Sequence, residues 1–206
     1  MTVIPLVVGS MATNCYLCVH STHAVVLDPG AEAQRIIKVL AEKGLTLDAI
    51  LLTHGHADHI GAAAELKKQT KAPIYIHKAE ASFLVDSHFN LATFLGWGDL
   101  SLQPDYWLED GQNLSFSGLT LQVLHTPGHT PGSLCFYFPD QRKLFSGDTI
   151  FAGGVGRTDL PGGDYPHLQA SLGKILPSLP LETIVYPGHG VTTTIAAEQA
   201  GLGDLN

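Results

Sequence analysis

Short apolar runs separated by turn residues dominate this chain, and their periods sort them into strands and helices. Residues 3–8, 15–19 and 24–27 read as strands, closed by the turn Asp28-Pro29-Gly30. Residues 31–43 carry Ile36, Ile37 and Leu40 at helical spacing and stop at Gly44. A buried strand is expected at 49–53, a helix at 62–69, a strand at 74–77 and a helix at 79–85. Residues 86–108 lack a period; Phe89, Phe94, Trp97, Tyr106 and Trp107 are expected to cap the core there, or alternatively to line a substrate mouth. Strands follow at 114–116, 120–124, 133–138 and 143–145, then a helix at 168–176 and a strand at 183–186. No linker and no strong repeat interrupts the series. The expectation is one α/β domain over residues 1–206, with helices covering the sheet faces.

Composition changes this picture little. The 206 residues are 45% hydrophobic and 15% charged, enough for one buried core. The net charge of −8 argues against a nucleic-acid partner, which would want a basic face, and leaves room for bound cations. Residues 1–17 carry neither a basic segment nor an unbroken apolar stretch, so no signal peptide and no membrane span is expected. Cys15 and Cys18 form a CxxC, but strand residues three apart point to opposite faces, so both are read as core residues. Three cysteines without an export signal point to a reducing cytoplasm.

The chemistry concentrates after the strand at 49–53. The run Thr53-His54-Gly55-His56-Ala57-Asp58-His59 places three imidazoles and a carboxylate within six positions. A loop turning into a helix there can aim side chains at two adjacent points, and strand ends are where α/β proteins build sites. Imidazole and carboxylate are ligands for zinc and iron. Three more candidates follow strands and sit beside small turn residues: His129 in Pro127-Gly128-His129-Thr130, Asp148 in Ser146-Gly147-Asp148-Thr149, and His189 in Pro187-Gly188-His189-Gly190. The remaining histidines, His20, His23, His77, His88, His125 and His167, are read as structural or exposed.

The motif THxHxDH followed in order by PGHT, SGDT and PGHG resembles the metallo-β-lactamase superfamily across residues 14–190. The resemblance implies a four-layer αββα sandwich, two mixed sheets flanked by helices, with metals at one edge. It implies a first metal on His54, His56 and His129, a second on Asp58, His59 and His189, and Asp148 bridging both. The ions would be two divalent cations, zinc first, with iron or manganese as alternatives. Such a pair makes a hydroxide from water near neutral pH and polarises a carbonyl. Asp58 would be the catalytic carboxylate, binding metal and orienting the hydroxide. Asp28, matching the family's early aspartate, would anchor the metal loop by hydrogen bonds, with a plain turn role as the alternative.

Within the superfamily the chain looks most like small proteins similar to type II glyoxalases, which hydrolyse the thioester of a hydroxyacylglutathione. Arg157 would hold the glutathione moiety, unless it pairs with a nearby acid. Two tyrosines that help bind glutathione in that family are replaced by Asp159 and Val191, and its C-terminal helical domain has no counterpart here. The first alternative is a mononuclear-iron persulfide dioxygenase using the His54, His129 and Asp148 positions; the second is a lactone or ester hydrolase. The bridging aspartate and the lack of an export signal speak against a true β-lactamase. The absence of a basic arm speaks against a nuclease, and His56 in place of a glutamate against a flavodiiron protein. A non-catalytic scaffold would be expected to have lost ligands.

Overall fold

Strand β2 (Thr13–His20) decides the architecture. In the computed structural model, which describes residues 1–202, β2 is buried from Thr13 through Cys18. Successive side chains leave a strand on opposite faces, so β2 needs apolar cover on both. Cys15 and Leu17 enter one cluster, Tyr16 and Cys18 another. The two cysteines of the CxxC therefore face apart, as expected.

Two six-stranded mixed sheets result. The first runs β1 (Thr2–Val8), β2, β3 (His23–Leu27), β4 (Thr46–Leu51), β5 (Ile74–His77) and β6 (Tyr106–Leu108). Its first three strands are antiparallel and β3 to β6 parallel. The second runs from β7 (Asn113–Phe116) through β8 (Leu119–His125), β9 (Leu134–Phe138), β10 (Lys143–Gly147) and β13 (Ile184–Pro187) to β14 (Thr193–Thr194). Only β10 and β13 pair in parallel. A small hairpin, β11 (Ile150–Phe151) with β12 (Gly154–Val155), lies between β10 and β13 in sequence.

The alternation fixes which side chains meet between the sheets. Val25, Leu27 and Leu51 from the first pack against Leu121, Phe136, Phe138 and Phe145 from the second. A fully buried side chain of this kind contributes roughly 1.5–3 kcal/mol by leaving water. The outer face of the first sheet is covered by α1 (Ala33–Glu42) and α3 (Ala63–Thr70) through Ile36, Leu40 and Leu66. The outer face of the second is covered by α5 (Tyr165–Ser178) and α6 (Ile195–Leu202) through Leu168, Leu172, Ile175 and Ile195. The order is helix, sheet, sheet, helix, the αββα sandwich that the motifs implied. Two further helices, α2 (Ala57–Ile60) and α4 (Ala92–Leu95), are single turns. No helix among the described residues is long and apolar enough to cross a membrane.

The expected strands form, with ends shifted by at most three residues. The helix expected at 79–85 does not. Only a 3-10 turn, Lys78–Glu80, and irregular turns occupy that stretch. Isolated helical bonds form, Leu84 N–H to Glu80 O (3.1 Å) and Asp86 N–H to Ser82 O (3.0 Å), but the Phe83 and Leu84 carbonyls accept from Asn90 Nδ2 (2.9 Å) and Leu102 N–H (2.8 Å), so the turns do not extend. The unpatterned stretch after it holds α4 and the edge strand β6. Its aromatics mostly do not cap the core: Phe94 is 81% exposed, and Trp97, Tyr106 and Trp107 are exposed too.

Candidate metal centre

One edge of the sandwich collects the ends of five strands. The chain leaves β3 at Asp28, β4 just before Thr53, β8 before Thr126, β10 at Asp148 and β13 before Gly188. These exits bring His54, His56, Asp58, His59, His129, Asp148 and His189 into one cluster.

Second partners fix which nitrogen of each ring is free. Thr53 gives its hydroxyl proton to Asp28 Oδ2 (2.7 Å), so its oxygen accepts from His54 Nδ1–H (3.0 Å). His59 Nδ1–H donates to Asp28 Oδ2 (3.0 Å), and His129 Nδ1–H to the Arg157 carbonyl (2.8 Å). All three therefore turn a bare Nε2 inward. His56 Nδ1 lies 3.1 Å from His54 Nε2 and 3.0 Å from His129 Nε2. His59 Nε2 lies 3.4 Å from His189 Nε2. In the tautomers that bare these nitrogens, lone pairs this close repel unless a proton or a cation sits among them. Tetrahedral ligands at about 2.0–2.1 Å from zinc stand roughly 3.3 Å apart, close to these separations. Asp148 Oδ1 is buried without a hydrogen-bond partner. The donors fit metal ions.

Asp148 spans the two groups. Its Oδ1 lies 3.4 Å from His59 Nε2, while Oδ2 lies 3.6 Å from His129 Nε2 and 3.7 Å from His189 Nε2. Asp58 Oδ2 accepts from Thr13 Oγ1 (2.8 Å) and lies 3.2 Å from His189 Nε2. His59 is fully buried and His189 about 29% exposed, so the cluster opens to solvent beside His189.

Electrostatics divide the cluster. Burial, with the charges of neighbouring histidines, holds His54 well below the usual range and His56 at about 3. Burial also lowers His129, although Asp148 opposes it. His59 differs: burial is outweighed by Asp148, Asp58 and Asp28, which raise it well above the usual range. His189 is raised against burial by Asp58 and Asp148. Without metal, His59 and His189 therefore hold their protons to higher pH than a free imidazole does, and an incoming ion must displace them. Metal affinity is expected to fall as pH drops from 8 to 6, read by competition with a chelator. A pH-independent affinity would contradict this.

Arg157 sits differently from the cluster. Its guanidinium is exposed and forks onto Asp159, with both bonds at 2.7 Å; its backbone carbonyl is what orients His129. Asp28 does more than shape its turn, because it holds Thr53 N–H (2.8 Å), the Thr53 hydroxyl and His59 together.

Sequence reading missed the clamp at the head of β2. Asn14 Nδ2 donates to the Pro187 (3.0 Å) and Gly190 (2.9 Å) carbonyls, and Tyr16 O–H to Pro187 O (2.7 Å). With Thr13 on Asp58, these residues fix the loop bearing His189. The available signal was a pair of polar residues, Thr13-Asn14, heading an otherwise apolar strand.

Residues 8–189 match the metallo-β-lactamase superfamily. The chain belongs to that superfamily. It is 39% identical over 193 residues to "Probable metallo-hydrolase YqgX" of Bacillus subtilis, covering 93% of this chain and 92% of that protein. It is 39% identical over 186 residues to "Hydroxyacylglutathione hydrolase GloC" of Haemophilus influenzae, covering 89% and 88%. Among solved structures it is similar to BLEG-1, described as a B3 metallo-β-lactamase, at TM-score 0.92 and 41% identity over 97% of both chains. It is likewise similar to TTHA1623 in a di-iron-bound form, at TM-score 0.85 and 41% identity over 95% of this chain and 96% of that one. As a superfamily member with this His/Asp cluster, the chain is a metal-binding metallo-hydrolase-type protein.

Proposed function

We propose that the protein hydrolyses a thioester of the hydroxyacylglutathione class at a two-ion site. The observation that carries the reading is Asp148, whose carboxylate lies 3.4–3.7 Å from donors of both sets, His129 of one and His59 and His189 of the other. His54, His56 and His129 would hold one ion, and Asp58, His59 and His189 the other, with Asp148 shared. When bound, the ions acidify a water toward neutral pH and polarise a carbonyl. Asp58, kept ionised against burial by His59, His189 and Thr13, would orient that water. Asp28 and the Arg157 carbonyl keep the imidazoles aimed.

The leaving group favours a thioester. All seven clustered side chains are committed as donors in this reading, so no side chain among them is free to act as a general acid. A thiol of pKa about 8.5 departs as thiolate without one, whereas an amine or alkoxide wants a proton. The relative named hydroxyacylglutathione hydrolase aligns over 88% of its length, which supports a glutathione thioester as the substrate. Zinc is the first choice of metal; the di-iron neighbour supports iron as the alternative. A reducing cytoplasm is part of the proposal, supported by three buried cysteines in no disulfide.

The test is hydrolysis of S-lactoylglutathione by protein whose metal has been counted by elemental analysis. Turnover of a β-lactam, lactone or simple ester in its place would replace the thioester reading; the likeness to BLEG-1 makes the β-lactam arm necessary. One iron per chain, with oxygen uptake on a persulfide, would replace hydrolysis altogether. Arg157→Ala is expected to raise KM for the glutathione thioester by about five- to tenfold with little change in kcat, as lost exposed charge-assisted contacts do. Arg157 must first leave Asp159 to reach substrate, so an unchanged KM would assign it to that ion pair alone.

A further inference from the structure

We infer that Glu80 is a positioning residue for one half of the metal centre, holding His54 and His56 in register with His129. The inference rests on the two-ion reading. Glu80 lies in the turn after β5 and is fully buried. Its Oε2 accepts from Gly55 N–H (2.8 Å), the peptide between His54 and His56. Its Oε1 accepts from Gly132 N–H (2.6 Å), three residues beyond His129. One carboxylate thus ties the two loops whose rings, His56 and His129, face each other at 3.0 Å.

The fit leaves no slack. A Cβ on Gly132 would stand 2.7 Å from Glu80 Oε1, and one on Gly55 would stand 3.0 Å from Oε2 and 2.5 Å from Phe83 Cβ. Phe83, from the same turn, packs its ring 5.8 Å from that of His56. The turn therefore braces both backbone and ring on one side of the cluster. The opposite side, Asp58 and His189, is braced independently by Thr13, Asn14 and Tyr16. Burial pushes the Glu80 carboxyl up to about 7, opposed by its bonds from Thr130, Gly55 and Gly132. A buried acid of this kind persists only where its hydrogen bonds hold it.

Two separate braces make the two ions separable. Loosening the Glu80 brace misplaces His54 and His56 against His129 and leaves the other donors in place. Glu80→Gln keeps shape and volume but substitutes an NH2 for one acceptor, so one of the two loops is released. Glu198→Gln is the matched control. Glu198 is also buried and accepts from Gly153 N–H (3.0 and 3.1 Å) and Thr193 Oγ1 (2.6 Å), but, unlike Glu80 on Gly55, it bonds no peptide adjacent to a donor.

The experiment titrates metal-free wild type, E80Q, E80A and E198Q with Zn2+ against a chromophoric chelator, with bound ions counted and folding followed by circular dichroism. E80Q is expected to keep one ion at wild-type affinity and to bind the other about 10–100-fold more weakly, the usual effect of losing an outer-shell partner. E80A should do the same more strongly; if it fails to fold, E80Q carries the result. E198Q should bind both ions as wild type does. Unchanged affinities in E80Q, equal weakening of both ions, or the same weakening in E198Q would overturn the role. A wild type that binds one ion only would refute the two-ion reading instead. Glu80 would then be judged on that ion alone, and an E80Q affinity equal to wild type would overturn it.

Discussion

Asp148→Ala is expected to release both ions and to reduce hydrolysis by more than about 100-fold. Losing an outer-shell partner costs about 10–100-fold in affinity or activity, and a donor shared by both ions should cost more. The carboxylate faces His59 through one oxygen and His129 and His189 through the other. Without it, only Asp58 within the cluster and Asp28 behind His59 offset the histidines. Elemental analysis after gel filtration and the thioester assay check this together. Two retained ions with near-wild-type turnover would sink the bridging role.

Gly188→Ala is expected to be nearly as damaging, through a single methyl group. A Cβ at this position would stand 2.2 Å from Asp148 Oδ1 and 2.7 Å from the His59 ring. The backbone cannot retreat easily. Gly188 N–H donates to Gly147 O (2.8 Å), and its carbonyl accepts from Asn14 N–H (2.7 Å). Misplacing reacting groups by about 1 Å can cost roughly 100-fold in rate, and a loss of that order is expected here with the fold retained. Gly190→Ala separates the steric effect from backbone strain. Its φ is +77° but nothing lies within 4 Å of its Cβ, so only strain of about 1–2 kcal/mol applies. Equal activity in the two variants would refute the steric account.

The sequence disclosed the site better than its surroundings. His54 to His59, His129, Asp148 and His189 stand out because ligand types are dense there and each follows an apolar strand. Strands such as β2, β3 and β9 are legible because buried residues alternate between two clusters. Residues 79–85 misled because Ala, Leu and Glu suit a helix, while the competing donors, Asn90 and Leu102, lie outside the stretch. Glu80 could not be singled out for the same reason: its partners, Gly55 and Gly132, are 25 and 52 residues away. Strand β6 is three residues long and half exposed, too short to show a period. Arg157 was read by its side chain, yet its backbone carbonyl is what reaches His129.

The donors come from opposite walls of the sandwich. Asp58 and the first three histidines hang from the wall built on β3 and β4, and His129, Asp148 and His189 from the wall built on β8, β10 and β13. Cations at that rim would rivet the walls together, so resistance to unfolding becomes tied to how much free metal the surroundings supply. Where the ion is well above its dissociation constant, each tenfold fall in its supply removes about 1.4 kcal/mol per bound ion. Starvation for metal would thus threaten the protein's survival as well as its turnover.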